Sequence, residues 1–283
     1  MKPYIDVIVP AINFVLLAAV GMDLTGADFA RVRRQRALLA AGLFVPPLVL
    51  PPIALTLVNI FAASPEVAGG VLLIATCPIG GISNAYSYLA RASTALSVTL
   101  TALSCLFATL TIPLVGRGLE LATGRPFDLS PPIALLVGQL LLVLALPVLL
   151  GMWIRRHWPD AAARHRPALQ RAAFVAIAVV LTLVVVDDPE SFAGGLSVTV
   201  PLAIAFVSLS IAAGWVTAAL ITSDRSDRFT VAAEFGTRNI VVALAIAVTL
   251  LGRVEFARFA TTYALVEIPM MLGAVAIYRV VSR

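Results

Sequence analysis

Nine apolar stretches, parted by short polar interruptions, make up most of this 283-residue chain. They run roughly 4–22, 37–61, 67–90, 94–115, 131–153, 172–187, 196–221, 229–251 and 257–280. An α-helix rises 1.5 Å per residue, so about 20 apolar residues cross a bilayer's hydrocarbon core. Most of the stretches reach that length. The sixth is short and is expected to extend toward Arg171 or Pro189. The loops between them are brief, with no linker and no stretch suited to a soluble domain. The pattern predicts an all-α, polytopic helical membrane protein: a single transmembrane domain over 1–283, with about nine transmembrane helices.

Composition supports lipid as the solvent. Hydrophobic residues make up 60% of the chain and charged residues 12%, against about half and a quarter in soluble domains. The mean hydropathy is +1.01. A sequence pI near 9.8 might suit nucleic acid, but the basic residues sort by membrane side instead. Fourteen fall on one side: the four arginines of RVRRQR (31–36), Arg91, five from Arg155 to Arg171, Arg225, Arg228, Arg279 and Arg283. Five fall on the other: Lys2, Arg117, Arg125, Arg253 and Arg258. Cytoplasmic loops are the lysine- and arginine-rich ones, so the N-terminus is expected outside and the C-terminus in the cytoplasm. Trp153 and Trp158 flank the largest basic loop, as interfacial anchors do. One lysine against nineteen arginines, in an alanine-rich chain, points to a bacterial cell (inner) membrane. Lys2 before an apolar run resembles a secretory signal, yet Asp6 and Pro10 interrupt the run and no A-x-A site follows, so a true membrane helix is expected. Cys77 and Cys105 both lie in apolar runs and imply no disulfide framework.

Two stretches contain helix breakers beside polar groups. The third reads TCPIGGISN, in which Pro78 lacks a backbone donor and Gly80 and Gly81 weaken the helix further. The eighth carries Gly236 in EFGTRN. GISNAYSYL (81–89) and GTRNIVVAL (236–244) both read G-x-x-N-x-x-x-x-L, offset by 155 residues in segments of opposite direction. That pattern predicts an inverted-topology repeat, approximately 1–115 and 131–283, with two broken helices crossing near the midplane to make a substrate and ion site. The prolines of FVPPLVLPP in the second stretch are read as structural.

Polar side chains near these breaks could hold an ion. Ser97 and Thr101, four apart, share one helix face. Ser83 and Asn84 sit at the first break and Glu234 just before the second. Together they offer hydroxyl, amide and carboxylate oxygens, which hard cations prefer; one carboxylate among neutral oxygens suits a monovalent ion such as sodium. A charge at a helix centre costs about 2.5–3.5 kcal/mol on insertion scales, which marks Glu234 as functional. Arg238 follows it by four residues, within pairing reach if that turn stays helical. Glu267 in YALVEIPMML either pairs with Arg238, carries a proton, or makes a polar contact only. His157 and His165 lie in a basic loop, and no metal or catalytic constellation shares one membrane depth, so no enzyme is indicated.

These residues carry a resemblance. CPIGGISNAYSYLARASTALSVTLTALS (77–104) is similar to the signature of the bile acid:sodium symporter family, approximately CPGG-x-x-SN-x-x-x-YLA(R/K)-x-x-x-ALSV-x-x-T. EFGTRNIVVALA (234–245) resembles its second signature, E-x-G-x-QN-x-x-LA-x-A, and GMDLTGADF (21–29) its first cytoplasmic loop. The resemblance implies a panel domain and a core domain, the broken helices crossing in the core, and a chain that starts at the second helix of ten-helix members. It implies a first sodium site at Ser83, Asn84, Ser97, Thr101 and Glu234, and a substrate-lining role for Asn239.

Two positions depart from the family. Its second sodium site uses the glutamine that Arg238 replaces here, and a further glutamine from the helix matching the second stretch. Gln35, Gln139 and Gln170 all lie outside that run, so the second site is expected to be absent. CPIGG also carries its glycines one position late, which places Gly81 where a threonine is common beside the substrate. Arg238 then has three readings: a permanent cation in place of the second sodium, a clamp on a substrate carboxylate, or a structural pair with Glu234. The function implied is sodium-coupled symport of a small organic anion, bile-acid-like or another carboxylate, by alternating access, with sodium as coupling ion and no cofactor. The alternative is a sodium-independent carrier of the same fold, proton-driven through Glu234 or Glu267, or uncoupled. Cys77 leaves an arsenite-exporter-like reading open.

Overall fold

The structure is a computed structural model that describes residues 2–23, 35–123, 137–138, 140–187, 189–253 and 255–282. Most of GMDLTGADF, the arginines at 31–34, Arg125 and the start of the fifth apolar stretch lie outside the described residues. The described chain is helical. Its α-helices are α1 (Lys2–Gly21), α2 (Arg36–Ile60), α3 (Pro65–Thr76), α4 (Ser83–Ala90), α5 (Thr94–Thr123), α6 (Leu146–His157), α7 (Pro159–Asp187), α8 (Pro189–Ala219), α9 (Arg225–Gly236), α10 (Ile240–Ala245) and α11 (Phe256–Val281). A π-helical turn, Leu141–Ala145, leads into α6, and another, Ile246–Leu250, follows α10.

Among the described residues, four helices are long and apolar enough to cross a membrane: Arg36–Ile60, Thr94–Leu119, Phe192–Ala219 and Phe256–Val281. Pro10–Gly21 and Pro65–Thr76 are shorter apolar helices. The four prolines of α2 sit inside one continuous helix.

The segment from Arg155 to Arg171, expected as a loop, is largely helical. Only Trp158 separates α6 from α7. Pro159 fits the first helical position, where no N–H is needed, and the alanines, arginines, leucine and glutamine that follow are strong helix formers. Trp153 and Trp158 stay about half exposed and stack edge-to-face, with ring centroids 5.1 Å apart.

Small residues let α1 and α6 touch backbone to backbone. A Cβ on Gly21 would fall 2.1 Å from the Val148 carbonyl oxygen, and one on Gly151 2.0 Å from that of Ala18. Such close approach drives helix pairing where lipid removes the hydrophobic incentive. α1 packs chiefly on α6 and α7, while α8 packs chiefly on α9, α11 and α2. Several arginine-rich ends meet one another. Asp23 pairs with Arg166 and accepts from Gln170 Nε2 at 3.3 Å. Asp227 accepts from Gln35 Nε2 at 3.1 Å and from Ser93 Oγ at 2.5 Å.

The third and eighth apolar stretches are both interrupted. α3 ends at Thr76 and α4 starts at Ser83; α9 ends at Gly236 and α10 starts at Ile240. The two gaps cross antiparallel through an isolated β-bridge, Ile79 with Arg238. Gly80 N donates to the Thr237 carbonyl at 3.1 Å and Asn239 N to the Pro78 carbonyl at 2.8 Å. Gly80 is required here, because a Cβ would lie 2.8 Å from the Arg238 carbonyl oxygen.

Candidate ion and substrate site

Backbone freed by a broken helix must find partners at membrane depth, and here helices α5 and α11 supply many of them. Ile79 N donates to Ser104 Oγ (3.1 Å) on α5. Arg238 N donates to the Tyr263 hydroxyl (3.0 Å) on α11, which in turn donates to the Gly236 carbonyl (2.6 Å). The two arrangements match. Ile79 and Arg238 are bridge partners, and each is served by a hydroxyl 25 residues further on. Both 238 minus 79 and 263 minus 104 give 159, so the geometric correspondence lies one helical turn from the 155-residue offset of the sequence motif. Ser104 and Tyr263 were not singled out from sequence. Their signals were spacings: Ser97, Thr101 and Ser104 fall on one face of α5, and Tyr263 precedes Glu267 by four.

Five predicted ion ligands come together. Ser83, Ser97, Thr101 and Glu234 are fully buried. Ser97 Oγ lies 2.8 Å from Asn84 Oδ1 and 2.5 Å from Glu234 Oε1. Thr101 Oγ1 lies 3.3 Å from Asn84 Oδ1, 3.2 Å from Glu234 Oε2 and 3.3 Å from Ser83 Oγ. With the Asn84 amide oxygen turned inward, five oxygen–oxygen contacts share three hydroxyl protons, one each from Ser83, Ser97 and Thr101. Ser97 and Thr101 each face both the Asn84 amide oxygen and a Glu234 carboxylate oxygen, so acceptors crowd these hydroxyls. An excess of acceptors around one carboxylate is the donor set a hard cation satisfies.

Arg238 does not pair with the Glu234 carboxylate. Its Nε donates to the Cys77 carbonyl at 3.1 Å, its Nη2 to the same oxygen, and its Nη1 to the Glu234 carbonyl at 3.4 Å. The expected four-residue ion pair presumes a continuous helix, and Gly236 ends that helix first. The guanidinium instead lies at the carboxyl ends of α3 and α9, where the helix dipoles are negative. A gap of about 20 Å³ beside it, bordered by Pro46, Pro47, Cys77 and Ser104, has room for roughly one water. Cys77 and Cys105 are free and buried.

Glu267 does not pair with Arg238 either. Its Oε1 accepts from Thr237 Oγ1 at 2.9 Å and its Oε2 from the Tyr86 hydroxyl at 3.3 Å. It lines a cavity of about 150 Å³ with Gly80, Gly81, Arg238 and Asn239 of the crossover and with Leu16 of α1 and Ala178 of α7. Asn239 Oδ1 caps α10 by accepting from Val242 N at 3.2 Å, while its buried Nδ2 has no partner among the described residues. A Cβ on Gly81 would meet only Val20 Cγ2, at 3.4 Å.

The sequence profile of the sodium bile acid symporter family matches residues 10–194, which include Ser83, Asn84, Ser97 and Thr101 and stop short of Glu234. The chain is 25% identical over 233 residues to an uncharacterized sodium-dependent transporter, YocS, of Bacillus subtilis, covering 82% of this chain and 71% of that protein. It is 25% identical over 234 residues to the probable sodium/metabolite cotransporter BASS1, chloroplastic, of Arabidopsis thaliana, and 28% identical over 237 residues to its Oryza sativa counterpart. The chain spans 57% of the length of each plant protein. With a profile match over more than half its length, this chain belongs to the sodium bile acid symporter family and is a multi-pass membrane transporter rather than an enzyme.

Proposed function

We propose that the protein is a sodium-coupled symporter of a small organic anion. The observation that carries this reading is the Ser83–Asn84–Ser97–Thr101–Glu234 cluster, whose five close oxygen contacts outnumber its three hydroxyl protons. Sodium is held by these oxygens and neutralises the one carboxylate. The names of the relatives, a sodium-dependent transporter and sodium/metabolite cotransporters, support the same coupling ion. Arg238 is a tethered cation. Its guanidinium already satisfies the Cys77 and Glu234 carbonyls, and the space left beside it is too small for a solute, so one sodium ion accompanies each turnover.

The anion site is the crossover cavity. The residues that open α4 and α10, Ile82 and Asn239 to Val241, line it, and helix amino ends favour negative charge. The cavity lies between the crossover and helices α1 and α7. The group α1, α6 and α7 is the panel, the remaining helices are the core, and movement of one against the other exposes the cavity to alternate sides. The matched 25-residue spacings support an inverted repeat over approximately 1–115 and 131–283. Nine crossings in the cell (inner) membrane, with the N-terminus outside and the C-terminus in the cytoplasm, follow from the segment count and the arginine asymmetry.

Uptake into proteoliposomes under an inward sodium gradient, screened over small carboxylates, tests this reading. A substrate should accumulate with sodium and not with potassium, and Glu234→Gln should abolish the sodium dependence in a protein that still folds. Uptake driven equally well by a proton gradient without sodium would reject it.

A further inference from the structure

We propose that the crossover cavity is built for a small carboxylate that also carries a hydrogen-bond donor, an ammonium or hydroxyl group beside its carboxylate, and that Glu267 selects for that donor. The proposal rests on the crossover cavity being the substrate site. Size comes first. The cavity holds about 150 Å³, and an apolar protein cavity of ~150 Å³ accommodates benzene. That volume suits a small carboxylate.

The polar atoms of the cavity fall in two places with opposite demands. At the crossover, Asn239 is 2% exposed and its Nδ2 has no partner among the described residues. An unpaired amide N–H calls for an acceptor there, which a carboxylate oxygen supplies. On α11, Glu267 is 1% exposed and borders the same cavity. Thr237 and Tyr86 each occupy one lone-pair direction, and a carboxylate offers about four, so a donor belongs there. Arg238 does not meet that demand, because its guanidinium is turned to the Cys77 and Glu234 carbonyls. A simple carboxylate fills the first place only, and brings a second negative charge beside Glu267. An α-amino or α-hydroxy acid fills both.

The test compares butyrate, 2-oxobutyrate, 2-hydroxybutyrate and 2-aminobutyrate on the purified full-length protein, by thermal stabilisation and equilibrium binding, with sodium or potassium. The 2-hydroxy or the 2-amino acid should bind at least about tenfold more tightly than the two donor-free probes, and the tighter of the pair identifies the donor. Glu267→Gln should shrink that preference to within about threefold. Should Glu267→Gln fold poorly, the wild-type preference and its retention in Glu267→Asp decide the matter. Equal binding of all four probes, a preference that Glu267→Gln leaves intact, or no binding of any probe overturns the proposal. Equal binding that still requires sodium removes the donor requirement and leaves the symport reading standing. A donor preference with no sodium effect removes the coupling instead.

Discussion

At the scale of single residues, the decisive finding is where Arg238 points. A guanidinium paired with a buried carboxylate and one placed on backbone carbonyls respond differently to mutation. Removing one member of a buried ion pair costs about 3–5 kcal/mol, and a double-mutant cycle reports that coupling. Here Arg238→Ala strands the Cys77 and Glu234 carbonyls at about 1–3 kcal/mol each, whatever the side chain at position 234. A cycle of Arg238→Ala and Glu234→Gln, read by denaturation in sodium-free buffer, should show a coupling below about 1 kcal/mol. Coupling near that of a buried ion pair would reinstate the pair. The buried polar cluster itself was legible in sequence, since hydroxyls, an amide and a carboxylate in apolar stretches are conspicuous. The aim of Arg238 was not, because it depends on α9 ending at Gly236. Ser104 and Tyr263 went unnoticed because hydroxyls in membrane helices commonly bond their own helix, as Thr99 does with the Ala95 carbonyl at 2.8 Å.

At the scale of elements, two broken helices are held in register by a bridge with no room to spare. Gly80→Ala drives a methyl group to within 2.8 Å of the Arg238 carbonyl oxygen and should force the crossing apart. A thermal shift assay should find it clearly less stable than wild type. Gly81→Ala meets only Val20 Cγ2, at 3.4 Å, so it should keep wild-type stability while narrowing the cavity and slowing uptake. Equal stability of the two variants would contradict the crossing geometry. The breaks were legible from Pro78, Gly80 and Gly236. The register was not: the motif suggested 155 residues and the paired hydrogen bonds give 159, since a short motif match carries no information on which backbone groups meet. The helical run from Pro159 was missed for another reason. Its charge pattern reads as a loop while its alanine content favours a helix.

At the scale of the whole molecule, orientation and ion stoichiometry are the properties to test. Single cysteines placed near Arg164 and near Glu255, in a background lacking Cys77 and Cys105, should label differently with an impermeant thiol reagent applied to intact cells. Position 255 should react and position 164 should not; the reverse would invert the topology. One sodium ion is expected to bind at Glu234 while Arg238 stands in for another cation. Equilibrium binding of radioactive sodium to the purified protein measures this without knowledge of the substrate. Saturation is expected at one ion per chain, with a Hill coefficient near one and loss of binding in Glu234→Gln but not in Glu267→Gln. Two ions per chain, or sodium binding that survives Glu234→Gln in a folded protein, would contradict it.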